Sequence, residues 1–147
     1  MSNTQPEESN IKKIHILMVD DDPMLRRLFG GRLVALGYDI IYASDGNEGR
    51  ETARRLQPDL VLMDQKMPVM DGLEATSRMK SEIETKNIPI ILFTNEDYSL
   101  ETEMMAKDLG ADAYVHKSSE FSVLVETIKN LLEKDGKTIP LPEEIKN

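Results

Sequence analysis

The sequence predicts an α/β domain built around a parallel sheet, and two patterns carry this prediction. Five short apolar runs alternate with five longer amphipathic ones, which is the order of strands and helices in an α/β domain. Several short runs are apolar at every position, as in strands that are buried on both faces. With 147 residues and no cysteine, the chain is expected to form one domain that needs no disulfide.

The predicted elements follow one another in regular order. The strands are expected at residues 14–19, 38–42, 60–63, 90–93 and 113–115. Apolar stripes at helical spacing predict helices over residues 25–36, 100–109 and 121–132, each followed by a glycine, and weaker patterns predict helices over 47–56 and 73–83. The stripe residues, including Leu28, Leu100 and Met104, are expected to pack against the sheet, and the alternative for Leu100 and Met104 is an exposed apolar patch that suits a protein partner.

The ends of the chain and its charge limit the function further. Residues 1–12 are expected to be disordered, 13–134 to form the domain and 135–147 to be a short tail. No signal peptide is recognisable and no apolar run reaches the roughly 20 residues that span a bilayer, so a cytoplasmic location is expected. The net charge of −9 disfavours nucleic acids and anionic membranes as partners.

Polar side chains stand where the predicted strands end. Asp20 and Asp21 follow the first strand, Asp64 follows the third, Thr94 ends the fourth and Lys117 lies just after the fifth. Ligand sites in open α/β sheets form at the carboxyl ends of the strands, where the strand order reverses. If the first and third strands are neighbours at that point, the three aspartates converge.

Converging carboxylates repel one another unless a cation neutralises them. A site of carboxylate oxygens suits Mg²⁺, which takes a few carboxylates together with phosphate oxygens. The Thr94 hydroxyl and the Lys117 ammonium supply donors for two further phosphate oxygens. The pattern therefore predicts a phosphoryl site with a carboxylate nucleophile.

Each of these residues also has an ordinary structural interpretation. Asp22 before Pro23 is typical of a helix N-cap, and the neighbouring aspartates could assist that cap. Thr94 could be a turn residue and Lys117 a surface charge. The histidines, His15 and His116, are interpreted as structural or solvent-facing. Polar residues at four strand ends together favour function over these separate interpretations.

The chain resembles the response-regulator receiver domains of two-component signalling. The matching segments are ILMVDDDP at 16–23, DLVLMDQKMPVMDG at 59–72, IPIILFT at 88–94 and GADAYVHK at 110–117. The resemblance covers residues 14–134. It implies a flavodoxin-like, doubly wound (βα)5 fold whose parallel sheet has the strand order 2-1-3-4-5.

The resemblance also implies roles for single residues around a Mg²⁺ ion. Asp64 would accept the phosphoryl group and contact the ion. Asp21 would bind Mg²⁺ directly, Asp20 partly through water, and Lys66 through its backbone carbonyl. A phosphohistidine on a histidine kinase or on a phosphotransfer protein would be the donor.

Further implied roles concern the response to phosphorylation. Thr94 would bond to the phosphoryl group, Lys117 would pair with it, and Tyr114 would turn inward when Thr94 moves. The surface formed by the fourth helix, fifth strand and fifth helix would then bind a downstream protein. The opposite charges of Lys66 and Glu96 are expected to bridge the entrance to the site.

The sequence thus predicts a stand-alone receiver that switches protein binding or relays the phosphoryl group. It would catalyse its own phosphorylation and dephosphorylation without being an enzyme for a free metabolite. One alternative is a haloacid-dehalogenase-like phosphatase with Asp20 as nucleophile and Asp22 as acid, although Met24 departs from that family's pattern. Another is a receiver-like binding module that is never phosphorylated.

Four sites depart from the usual receiver pattern, one of them Gly49, which replaces the usual alanine of the second helix. Asn95 follows Thr94 where a small residue is common. Ser118 follows Lys117 where proline is common and often has a cis bond, so we expect a different loop geometry there. Gly30 and Gly31 lie inside the first helix and should loosen it.

Overall fold

The computed structural model describes residues 13–137 as a parallel sheet of five strands with helices on both faces. The strands are β1 (His15–Val19), β2 (Asp39–Ala43), β3 (Leu60–Met63), β4 (Ile90–Thr94) and β5 (Ala113–His116). The helices are α1 (Pro23–Ala35), α2 (Gly46–Leu56), α3 (Gly72–Ser81), α4 (Leu100–Asp108) and α5 (Phe121–Lys134). The strand order is β2-β1-β3-β4-β5. The predicted fold class and strand order are confirmed, and each element ends within two residues of its predicted bounds.

The termini are described only in part. The segment 1–12, predicted to be disordered, lies outside the described residues, and so do residues 138–147 of the predicted tail. Residues 135–137 close α5: the Lys137 N–H donates to the Leu132 carbonyl, and the Lys137 ammonium lies 2.9 Å from the Asp59 carboxylate. The first residues of the predicted tail therefore pack against the domain.

Two apolar layers explain why the strands are apolar at every position. Ile16 and Met18 of β1 contribute to the layer beneath α1 and α5, whereas Leu17 and Val19 contribute to the layer beneath α2, α3 and α4. Successive side chains of a strand point to opposite faces of the sheet. All four residues are at most 1% exposed, because helices cover both faces.

Helix α1 begins with the cap that the sequence predicts. The Asp22 side chain accepts hydrogen bonds from the backbone N–H groups of Met24 and Leu25, and Pro23 occupies the first helical position. Phe29 and Leu33 of the apolar stripe are buried. Leu28 is 52% exposed, so the prediction that it packs against the sheet is wrong. It lies on the flank of the stripe, beyond the part that the sheet covers.

The two glycines of α1 have different surroundings. At Gly30, a Cβ atom would lie 2.9 Å from Cε1 of the Tyr42 ring, so the helix approaches β2 closely at this position. At Gly31, a Cβ atom would meet no atom within 4 Å. Gly30 therefore has a packing reason to lack a side chain, and Gly31 has none.

We expect Gly31→Ala to raise the free energy of unfolding by about 0.5–1 kcal/mol, because alanine restricts the unfolded chain and favours the helix. Gly30→Ala is the matched control, and its gain should be smaller or reversed because Tyr42 must move. Urea unfolding of both variants measures the difference. An equal gain at the two positions would contradict the packing described for Gly30.

Helix α4 leaves most of its apolar residues exposed. Leu100, Met104 and Met105 are 62%, 57% and 45% exposed, and Ala106 is its buried residue. The prediction that this stripe packs against the sheet is therefore wrong for these three residues. A small alanine lets the helix lie close to the sheet while the longer side chains stay outside. Together with Tyr98, which is 59% exposed, these three residues form what we call the α4 surface.

Candidate functional site

The strand order gathers the polar strand ends at one edge of the sheet. β1 lies between β2 and β3, so the chain leaves β1 in one direction and later returns on its other side. The Asp64 N–H donates to the Val19 carbonyl at 2.9 Å, which places the residues after β1 and β3 side by side. This is the topological switch point at which α/β sheets form ligand sites.

Three carboxylates meet at this edge, as the sequence predicts. Asp20, Asp21 and Asp64 each offer an oxygen that lies within 4.8 Å of the other two. Asp20 is 1% exposed and Asp64 is 9% exposed, whereas Asp21 is exposed to solvent. Adjacent residues of the chain thus present one carboxylate to the interior and one to solvent.

Lys117 brings a positive charge into the same cluster. Its ammonium contacts the Asp20 carboxylate and lies 3.2 Å from Oδ1 of Asp64. Its side chain is 3% exposed. Its backbone N–H donates to the Thr94 carbonyl at 2.8 Å, so the pairing of β4 and β5 continues to the residue that carries the ammonium.

The electrostatic balance of the cluster is visible in Asp64. The pKa of its carboxyl is raised to about 6, chiefly by burial; Lys117 opposes this rise and the neighbouring Asp20 charge adds to it. Three carboxylates face one ammonium, so the ionised cluster has an excess of negative charge. The hard oxygen ligands and this excess fit a bound divalent cation such as Mg²⁺.

Thr94 and an ion pair border the cluster. Thr94 is fully buried, and its hydroxyl oxygen accepts a hydrogen bond from the Glu96 N–H at 3.0 Å. The hydroxyl can still donate its own hydrogen. The Lys66 ammonium lies 3.6 Å from the Glu96 carboxylate, so the expected bridge between these residues is present. Lys66 has an 80% exposed side chain, and such a pair contributes at most about 1 kcal/mol.

The loop after Asp64 is held tightly at both ends. The Gly72 N–H donates to the Gln65 carbonyl at 2.7 Å, and a Cβ atom at Gly72 would collide with the Asp64 carbonyl oxygen. Within the loop, the Met70 N–H donates to the Pro68 carbonyl at 2.7 Å across Val69, whose φ is +70°. This is the rare three-residue turn that strains a β-branched residue. The loop that carries Lys66 is therefore fixed against Asp64.

Two contacts of this site were not anticipated from the sequence. Nη1 of Arg26 donates to the Asp20 backbone carbonyl at 2.6 Å, and Nδ1 of His116 accepts from the Ser118 N–H. All peptide bonds of residues 13–137 are trans, including the one before Ser118. The contact of Arg26 could have been predicted from its position in the first turn of α1, close to the end of β1. For His116, the signal was a serine N–H two residues later, where receivers commonly have proline.

Comparisons with known proteins agree on one family. A family model described as "Response regulator receiver domain" matches residues 16–129. The DNA-binding transcriptional regulator RpaA of Synechocystis is 32% identical over 81% of this chain, which spans about half of RpaA. Protein PilH of Pseudomonas aeruginosa is 34% identical over 80% of this chain and 96% of PilH. The receiver domain of sensor histidine kinase PA1611, solved with magnesium in its active-site cleft, matches with a TM-score of 0.76 and 25% identity, covering 83% of this chain and 99% of that domain.

Proposed function

Because the chain belongs to the response regulator receiver family, we propose that it is a phosphorylation switch in which Asp64 accepts the phosphoryl group. The observation that carries this proposal is the position of Asp64 at the end of β3, beside Lys117 and two further carboxylates. A nucleophile, a cation and the ligands for a metal thus lie together at the switch point of the sheet. The expected donor is a phosphohistidine on a histidine kinase or phosphotransfer protein.

The proposed transfer needs one bond to form and one to break. A carboxylate oxygen of Asp64 attacks the phosphorus, and the bond between phosphorus and the donor's imidazole nitrogen breaks. The electron pair leaves on that nitrogen, which takes up a proton. The Lys117 ammonium, which lies 3.2 Å from Asp64, and the Thr94 hydroxyl would donate to phosphoryl oxygens and so stabilise the charge that the transfer brings to this edge of the sheet.

Mg²⁺ is the cofactor that the cluster fits. Asp21 and Asp64 would hold it through their carboxylates, Lys66 through its backbone carbonyl and Asp20 through water. When bound, the ion neutralises phosphoryl oxygens and the repulsion among the three carboxylates. The same residues would support hydrolysis of the phosphorylated form, so the chain would catalyse both its own phosphorylation and its dephosphorylation.

Asp64 fits the role of nucleophile better than Asp20. Oδ1 of Asp20 accepts from the Asp22 N–H at 2.9 Å, and its Oδ2 contacts Lys117. Both oxygens of the Asp20 carboxylate are therefore engaged within the protein. This arrangement gives no support to a phosphatase in which Asp20 attacks the substrate and Asp22 serves as the acid, since Asp22 caps α1.

We expect the wild-type protein to gain one phosphoryl group when it is incubated with a small phosphodonor and Mg²⁺. The measurement is intact mass over time, with EDTA replacing Mg²⁺ in the control. Labelling should depend on the metal, because the carboxylate cluster otherwise repels an anionic donor. A protein that remains unlabelled under these conditions would instead be a phosphorylation-independent binding module.

The proposed output is a change at the α4 surface and the adjoining β5. The Tyr114 ring packs against the apolar layer beneath α2, α3 and α4 and lies 6.2 Å from the Tyr98 ring. Its hydroxyl oxygen is buried and has no hydrogen-bond partner among residues 13–137. An unpartnered buried hydroxyl costs about 1–3 kcal/mol, so an outward position of the ring competes with this inward one. Movement of Thr94 toward a phosphoryl group would bias that equilibrium.

Phosphorylation is therefore expected to shift the backbone amide signals of residues 95–120, in addition to those beside Asp64. The reason is that Thr94, Tyr114 and the α4 surface are connected through β4 and β5. Two-dimensional NMR spectra with and without phosphodonor measure the effect. Large shifts confined to α1 and α2 would place the output face elsewhere.

The partner of the α4 surface is proposed to be a protein. Its exposed leucine and methionines suit an apolar protein contact, and the acidic chain disfavours nucleic acid. Within residues 13–137 no helix is both long enough and apolar enough to cross a bilayer. We propose a cytoplasmic location, because the phosphohistidine donors of this family act there.

A further inference from the structure

The end of β5 contains a hydrogen-bonded pair that the proposed function does not use. The backbone N–H of Ser118 donates to Nδ1 of His116 at 3.1 Å. The Ser118 hydroxyl oxygen lies 2.8 Å from the same nitrogen. Lys117, whose ammonium lies between Asp20 and Asp64, is the residue between these two partners.

The backbone contact assigns the state of the imidazole. A backbone N–H can only donate, so Nδ1 of His116 must be the acceptor and cannot itself carry a hydrogen. In this arrangement the ring hydrogen is on Nε2. The Ser118 hydroxyl also lies within hydrogen-bond distance of Nδ1, so the N–H and the hydroxyl of Ser118 share the single lone pair of that nitrogen.

This pair closes the turn that carries Lys117. The Ser119 N–H donates to the His116 carbonyl at 3.0 Å, and the Lys117 N–H donates to the Thr94 carbonyl at 2.8 Å. The peptide of Lys117 is thus fixed on the β4 side, and the following peptide is fixed by the imidazole. A proline at position 118 would have no N–H to satisfy, whereas serine has one.

We propose that His116 is a positioning residue for phosphoryl transfer, whose Nδ1 holds the turn of residues 116–119 and thereby the Lys117 ammonium beside Asp64. This inference rests on the proposed function, since it assigns a purpose to Lys117 in the transfer. His116 touches neither donor nor phosphoryl group in this proposal and acts through Ser118 and Lys117. The contact is partly exposed, because Ser118 lies at the surface, so water competes with it and the effect is moderate.

The test compares two substitutions of His116. His116→Asn keeps an acceptor oxygen close to the position of Nδ1, whereas His116→Leu removes the acceptor. The rate of labelling by a small phosphodonor at saturating Mg²⁺ should fall about three- to tenfold in His116→Leu, as expected for loss of one hydrogen bond. His116→Asn should stay within about twofold of wild type, and the Mg²⁺ affinity of both should be unchanged.

A second substitution separates positioning from general stability. In Ser118→Pro the donor N–H and hydroxyl are absent, so adding His116→Leu should not lower the labelling rate further. Rates are compared per folded protein, and circular dichroism measures the folded fraction. If adding His116→Leu to Ser118→Pro lowered the labelling rate by as large a factor as it does in the wild-type background, this result would overturn the proposal. So would wild-type rates in His116→Leu, or rates in His116→Asn as low as in His116→Leu.

The tautomer gives a readout that needs no variant. Nitrogen-15 NMR of the uncharged wild-type imidazole should show a hydrogen on Nε2 and none on Nδ1. A hydrogen on Nδ1 would overturn the proposal directly. Failure of the wild-type protein to become labelled at all would instead contradict the proposed function, and the two failures are thereby distinguishable.

Discussion

An Asp64→Asn variant is expected to accept no phosphoryl group. The substitution replaces the attacking carboxylate oxygen by an amide of nearly the same size, so the nucleophile is lost while the packing at the end of β3 is kept. Intact mass after incubation with a small phosphodonor and Mg²⁺ measures the loss, which should be complete. Circular dichroism should show an unchanged fold.

Asp97→Asn is the matched control for this experiment. Asp97 is exposed in the loop after β4, near the same edge of the sheet, and has no part in the proposed transfer. This variant should become labelled as fast as wild type. Stoichiometric labelling of Asp64→Asn would show that another residue accepts the phosphoryl group.

Asp64→Asn should also stabilise the metal-free protein at neutral pH. Burial raises the pKa of Asp64 to about 6 from a usual value of 3.8. A carboxyl with a raised pKa in the folded state binds its proton more tightly there than in the unfolded chain. Its contribution to stability is therefore fully present below about pH 4 and is lost as the pH rises through about 6. Asparagine has no charge to bury, so this loss does not occur in Asp64→Asn. Its free energy of unfolding in EDTA at pH 7.5 should exceed that of wild type by on the order of 2 kcal/mol.

That gain should disappear at acidic pH. Near pH 4 the wild-type carboxyl is protonated in the folded state, so the two proteins should differ little in their free energies of unfolding. Urea unfolding at both pH values tests the sign. A variant that is less stable than wild type at pH 7.5 would mean that the contact of Asp64 with Lys117 outweighs the cost of burial.

Loss of Mg²⁺ binding should be much larger in Asp21→Asn than in Asp20→Asn. The Asp21 side chain is exposed and can turn its carboxylate to the ion, whereas both oxygens of Asp20 are engaged by Lys117 and the Asp22 N–H. We expect the Kd for Mg²⁺ to rise at least tenfold in Asp21→Asn, equal to about 1.4 kcal/mol. Asp20→Asn should change it by only about two- to threefold, because its contact with the ion is through water.

Asp22→Asn provides a control within the same run of aspartates. Its carboxylate caps α1, and asparagine is an equally good cap, so both the fold and the Kd for Mg²⁺ should be unchanged. Calorimetric titration of the three variants gives the order directly. Reversed losses would show that Asp20 is the direct ligand, and equal losses would contradict the assignment of Asp21 as direct and Asp20 as water-mediated.

The sequence by itself determined the class of fold and predicted which polar residues lie together at the carboxyl edge of the sheet. Continuously apolar runs mark strands that are buried on both faces, and the residue at which each run stops is the residue at the carboxyl edge of the sheet. Asp64 after Met63 and Lys117 after His116 could be placed there without any coordinates. The Asp22-Pro23 pair likewise predicted the cap of α1, because capping depends on neighbouring residues alone.

Only the tertiary structure decided which of these residues contact one another and which are buried. The contact of Lys117 with Asp20 joins residues 97 positions apart, and nothing local indicates which aspartate the ammonium engages. The burial of Asp20 and the exposure of Asp21 follow from the direction in which the chain leaves β1. That direction depends on the helix and the strands packed around the end of β1. It could not be predicted from the sequence, because a strand that is apolar on both faces shows no alternation of buried and exposed residues.

The surface of α4 shows the same limit. Its periodicity predicted a helix correctly, but the face that meets the sheet is the one with Ala106, while Leu100 and Met104 remain outside. An apolar stripe specifies that a helix has a face to bury, and only the shape of the neighbouring sheet and the partners of the protein decide what covers it.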